Sequence, residues 1–60
     1  MKNRFTLIIS AITENSYTVN FRCWIIDEEG NQQTIAVLVE NDISLDNALI
    51  AQTNFITENK

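Results

Sequence analysis

Residues 22–31, RCWIIDEEGN, hold the only cysteine, the only tryptophan and the only glycine of the chain, with one of its four cations and three of its eight carboxylates. A thiol can become a nucleophile, and clustered carboxylates can hold a divalent cation, so these two chemistries are weighed first. Cys23 lies inside the alternating segment YTVNFRCWII, at the same parity as Tyr17, Val19, Phe21 and Ile25. On a strand those positions share one face, which makes Cys23 core filler rather than a nucleophile. The sequence contains no histidine, the commonest general base near neutral pH. One cysteine and no histidine also leave no ligand set for a structural zinc. Asp27, Glu28 and Glu29 lack the spacing of an EF-hand loop and read as a solvated hairpin tip. A glycine-rich phosphate loop is absent, and there is no proline of the kind small tautomerase-like enzymes carry at the N-terminus. The expectation is a non-enzymatic protein without metal or cofactor.

Trp24 asks a different question, because its parity differs from that of Cys23. Thr18, Asn20 and Arg22 precede it on the same side of the segment and Ile26 follows, so a tryptophan would stand on the face that begins polar. Something has to cover it.

Sixty residues make one small domain, 1–60, that buries only roughly 60% of the surface its unfolded chain exposes. Chains of this size usually gain stability from disulfides, a metal or a partner subunit. Only the last remains open here. Apolar residues form 45% of the chain, enough to drive folding. No apolar run approaches the ~20 residues of a membrane helix. The start, MKNRFTLIISAI, has the charge and short apolar stretch of a secretion signal, but Thr6 and Ser10 interrupt it and cleavage near Ala11 would remove a strand. A lone cysteine favours a reducing, cytoplasmic setting. The net charge is −4 and the basic residues Lys2, Arg4, Arg22 and Lys60 are scattered, which argues against direct nucleic-acid binding.

The pattern along the chain is α+β: a three-stranded antiparallel β-meander (about 4–13, 17–27 and 32–40) with one C-terminal helix (about 44–57) packed on one face. Residues 4–13 alternate, with Phe5, Leu7 and Ile9 on one side and Thr6, Ile8, Ser10 and Ile12 on the other. Thr13–Ser16 is a turn, where Asn15 best tolerates a left-handed backbone. Glu28-Glu29-Gly30 closes the next hairpin with Gly30 left-handed. If Asp27 faces Asn31, then Cys23 lies opposite Ile35, Phe21 opposite Val37 and Val19 opposite Val39. Ser44 or Asp42 caps a helix whose apolar stripe is Leu45, Ala48, Leu49, Phe55 and Ile56, with Asp46 in its first turn. The expected core joins Phe5, Leu7, Ile9, Val19, Phe21, Ile25, Ile35, Val37 and Val39 to Leu45, Leu49, Phe55 and Ile56.

One helix cannot cover two faces of a sheet. The second face is expected to carry Ile8, Ile12, Trp24, Ile26, Ala36 and Leu38 among Thr, Ser, Asn and Arg22. β-branched and aromatic residues fill exposed strand positions by propensity alone. A central Trp flanked by Ile, Leu and Arg also has the composition of a binding hot spot. Ile8, Ile12, Arg22, Trp24, Ile26 and Leu38 are therefore the candidate protein-binding residues.

The string DISLDNAL resembles, at Asp42, Leu45, Asp46, Ala48 and Leu49, the helix opening of the HicB antitoxin family, whose β-β-β-α order is similar. The likeness spans about eight residues, any capped amphipathic helix would supply them, and the family's strand features are absent. The expected function is protein binding, with a homodimer formed through the Trp24 face or a sheet edge. Its size suits an accessory or inhibitory protein in the style of phages and mobile elements. The alternative is an acidic antitoxin-like or nucleic-acid-mimicking protein that engages a basic partner through Asp27, Glu28 and Glu29.

Overall fold

The structure, a computed structural model, describes residues 3–60. Its elements run β1 (Arg4–Ala11), β2 (Tyr17–Ile26), β3 (Gln32–Ile43) and α1 (Leu45–Glu58). The strands form one antiparallel sheet in the order β1-β2-β3, the expected meander with a C-terminal helix. β1 pairs with β2 without interruption from Arg4↔Trp24 to Ala11↔Tyr17. It stops at Ala11, earlier than the alternation implied, because the chain turns when Ile12 N–H donates to the Ser16 carbonyl at 2.8 Å. Asn15 does not take the left-handed backbone in that turn. Among the described residues, Asp42 (φ 61°) is the one non-glycine with positive φ.

The β2–β3 hairpin closes as its residues dictate. Gly30 has φ 88°, and Asp27 N–H donates to the Asn31 carbonyl at 2.9 Å. The Asp27 carboxylate accepts the N–H groups of Glu29 and Asn31, both at 2.9 Å, an Asx-type lock on the turn. The first pairs, Ile26↔Gln32, Ile25↔Gln33 and Trp24↔Thr34, keep the register this turn predicts.

Beyond them the register changes. Cys23 pairs with Ala36, Arg22 with Val37, Phe21 with Leu38 and Asn20 with Val39, which leaves Ile35 as the extra residue of a β-bulge. One inserted residue exchanges the two faces of everything after it. Ala36 and Leu38 therefore turn to the core. Val37 and Val39 turn outward, 59% and 54% exposed, and Ile35 is exposed as well. The expected inward positions of Ile35, Val37 and Val39 are thus corrected, and so is the outward position of Leu38. The run Ile35–Val39 is apolar at both parities, so alternation does not distinguish registers one residue apart. A second irregularity separates Val19↔Glu40 from Tyr17↔Ile43. Asp42 takes its left-handed backbone there and accepts a hydrogen bond from the Ser16 hydroxyl at 2.7 Å.

The core is narrow. Val19, Phe21 and Cys23 of the central strand are fully buried against Ala48 and Phe55 of α1. The Phe55 ring meets Phe5 edge-on at 6.1 Å and Phe21 at 5.8 Å, geometries that add about 0.5–1.5 kcal/mol each to area burial. α1 starts as expected, with the Ser44 hydroxyl accepting Asn47 N–H at 3.2 Å and Asp46 in the first turn. Its buried stripe differs from the expected one. Ala48, Ala51 and Phe55 face the sheet, whereas Leu45 and Leu49 stay 44% and 47% exposed. Small alanines let the helix approach β2 closely, at the cost of leaving the β3 side uncovered. An open groove of about 410 Å³ remains there over Ala36, Leu38, Ala51 and Phe55, with Glu40 and Glu58 at its rim.

The bulge makes a direct prediction. Leu38→Ser is expected to cost about 2 kcal/mol in urea unfolding, as a side chain packed on the core. Val37→Ser, one residue away, should stay within about 0.5 kcal/mol. The opposite order would return β3 to the unbulged register.

Candidate interaction surface

The face of the sheet away from α1 is built in rows across the three strands. One row is Ile8–Asn20–Val39, the next Thr6–Arg22–Val37, and the next Arg4–Trp24–Thr34. Ser10 and Thr18 extend the face at one end, Ile26 and Gln32 at the other. None of these positions is acidic. In a chain of net charge −4 the outer face thus carries two guanidiniums, and the eight carboxylates lie off it.

Trp24 is covered from within its own sheet. The Arg4 guanidinium lies 5.9 Å and that of Arg22 5.7 Å from the ring centroid, contacts worth about 0.5–1 kcal/mol each at an exposed site. Both come from the register, since Arg4 is its cross-strand partner and Arg22 stands two residues before it on the same face. The indole Nε1 donates to the Thr6 hydroxyl at 3.3 Å, and Arg22 Nε donates to the Thr34 hydroxyl at 2.7 Å. These contacts fix the ring and both cations into one cluster. The Trp24 ring is left half-buried; Val37 is exposed beside Arg22, and two rows from Trp24 the exposed Ile8 and Val39 flank Asn20 on either side.

Of the candidate binding residues, Ile8, Arg22, Trp24 and Ile26 do share this face. Ile12 lies beyond the end of β1, exposed in the turn, because the strand ends at Ala11. Leu38 belongs to the opposite face, turned there by the bulge. Arg4, Thr6, Val37 and Val39 complete the surface. The parity of β1 pointed to the first two. The two valines have no local signal beyond an apolar run that fits either face.

Asp27, Glu28 and Glu29 sit at the hairpin tip, with Asp27 engaged by the two backbone donors of its turn. Cys23 is fully buried, its Sγ 3.9 Å from the Asn59 carbonyl. That carbonyl also accepts from the Asn3 side chain, tying the end of α1 to the start of β1. Among the described residues no helix is long and apolar enough to cross a membrane.

The class so defined is a small α+β protein with one sheet face under a helix and the other open. Comparison of the chain with protein-family models, curated proteins and solved structures finds no match in any of the three, so the short likeness to the HicB helix opening has no family match behind it.

Proposed function

We propose that this protein acts by binding protein through its outer sheet face and that it self-associates there as a homodimer. The observation that carries the reading is the face itself: Val37 lies exposed beside an ordered Trp24–arginine cluster, and Ile8 and Val39 lie exposed further along the same face, with no carboxylate among them. Two bulk quantities support it. The chain exposes 4397 Å², against roughly 4,000 Å² for a monomer of its mass. Its radius of gyration is 13.0 Å, where a compact chain of this length has roughly 10 Å. A thin, extended fold with a small core gains most from a partner, and two-fold homodimers are the commonest way to supply one.

Its work in the cell on this reading is accessory or inhibitory: it binds another protein rather than turning over a substrate, in the manner of small phage or mobile-element proteins. A lone buried cysteine suits the cytoplasm. The acidic antitoxin-like alternative is less favoured, because one oxygen of the Asp27 carboxylate already accepts both backbone donors of its turn.

Light scattering over a tenfold concentration range tests self-association. The wild type is expected at twice the chain mass. The double variant Ile8→Asp/Val39→Asp should be monomeric with unchanged circular dichroism, since both side chains stand in solvent in the single chain. A wild-type monomer at every concentration would sink the homodimer.

A further inference from the structure

We propose that the open groove between α1 and β3 is a second docking site, and that its occupant is a segment of another protein in which apolar side chains stand next to Lys or Arg. This goes beyond the self-association reading and does not depend on it. The groove lies on the helix side of the sheet, so two copies packed through their outer faces leave both grooves open.

The β3 residues that turn toward the helix are Ala36, Leu38 and Glu40, opposite the buried Cys23, Phe21 and Val19. Ala36 and Leu38 pack against the core on one side and stay only half-buried. Ala51 and Phe55 of α1 make the facing wall, and Glu58 joins Glu40 at the rim. The volume of about 410 Å³ falls within the range of binding pockets, about 300–1,000 Å³. An apolar side chain seated there would cover Leu38 and the open flank of Phe55.

Charge decides what kind of segment fits. Glu58 ends α1, where the helix dipole is negative and a carboxylate is disfavoured, and no basic residue stands in that last turn. Glu40 stands across the same groove. Of the described cations, Arg4 and Arg22 lie over Trp24 on the other face, and Lys60 is exposed beyond the end of the helix. Two carboxylates and the negative end of α1 thus border one apolar floor. A Lys or Arg complements the rim, and the apolar residue beside it complements the floor. The described residues of this chain offer no such segment to a second copy. Arg4 and Arg22 are built into strands, and Lys60 ends the polar run Thr57–Lys60. The occupant is therefore a different protein.

The test pans a random peptide library over the immobilised full chain, with Glu40→Lys/Glu58→Lys as the counter-selection. Peptides kept by the wild type alone are expected to be rich in Lys or Arg beside Leu, Ile or Phe. In an NMR titration the strongest of them should shift the backbone amides of Ala36, Leu38, Ala51 and Phe55. The counter-selection variant should bind it at least about tenfold more weakly, and high salt should weaken the wild type. Glu28→Lys/Glu29→Lys makes the same change of net charge at the hairpin tip and should bind as the wild type does. All four glutamates are exposed, so these variants keep the fold. Glu58→Gln should raise the urea midpoint, because its carboxylate opposes the dipole. A library without basic, apolar peptides, or shifts confined to the outer face, overturns the site. Equal loss in the hairpin-tip variant overturns it too, since net charge alone would then govern binding. So does a lowered midpoint for Glu58→Gln, which would mean that the chain already compensates that carboxylate.

Discussion

Phe55→Ala is expected to abolish cooperative folding at 25 °C. Phe55 joins the two layers: it is the one aromatic residue of α1, and its ring meets both Phe5 of β1 and Phe21 of β2. Truncating a buried Phe to Ala costs about 3–5 kcal/mol, transfer and cavity terms together. A 60-residue domain has only roughly 3–9 kcal/mol in total. Among the described residues only five are buried in the core, so the void would open close to solvent. The groove beside Phe55 would open onto it and admit water to the inner sheet face. Phe55→Leu keeps most of the volume and should cost under about 1.5 kcal/mol, leaving a folded control. Circular dichroism through a urea titration, at one fixed protein concentration because a dimer's stability depends on it, reads both. A Phe55→Ala protein with a sharp transition displaced by less than about 1 kcal/mol would mean that α1 does not hold the sheet as described.

Trp24→Ser is expected to separate the dimer while leaving the single chain folded. Within one chain the substitution removes a half-buried ring, two cation–π contacts and the Nε1 hydrogen bond to Thr6, all on the face away from the core. That loss amounts to about 1.5–3.5 kcal/mol of fold stability. Between chains the ring is the largest side chain of the proposed surface and holds the two arginines in place. Truncating such an aromatic anchor costs an interface about 2 kcal/mol or more, close to a thirtyfold weaker dimer. Light scattering of the wild type and Trp24→Ser over the same concentration range, with circular dichroism as the control for folding, gives the answer. A dimer that ignores the substitution would move the interface to the clean edge of β1 or to the exposed leucines of α1.

The residues differ in how far their neighbours along the chain speak for them. Gly30 and Asp27 announce the hairpin because a left-handed glycine and an Asx lock act over four residues. Ser44 and Asp46 announce the start of α1 for the same reason. The alternation of Phe5, Leu7 and Ile9, and of Val19, Phe21 and Cys23, sorts β1 and β2 to their faces, so Trp24 was legible as an outer-face residue of the central strand, though it stands near the end of the sheet opposite Arg4 rather than at its middle. What surrounds it was only half legible. Arg22 and Ile8 share its face by parity, but Leu38 does not, and Val37 and Val39 take the place expected for it.

The sequence alone determined the order of elements, the turn that starts β3, the helix cap and the faces of the first two strands. Each is written in contacts between residues a few positions apart. The tertiary structure alone decided the face of β3, because Ile35–Val39 is apolar at every position and a single bulge reverses it. It also decided which stripe of α1 is buried. Leu45 and Leu49 carry more apolar surface than Ala48 and Ala51, yet the narrow ridge of β2 accepts small residues and one large ring. Packing across the chain settles such choices wherever local chemistry is indifferent between them.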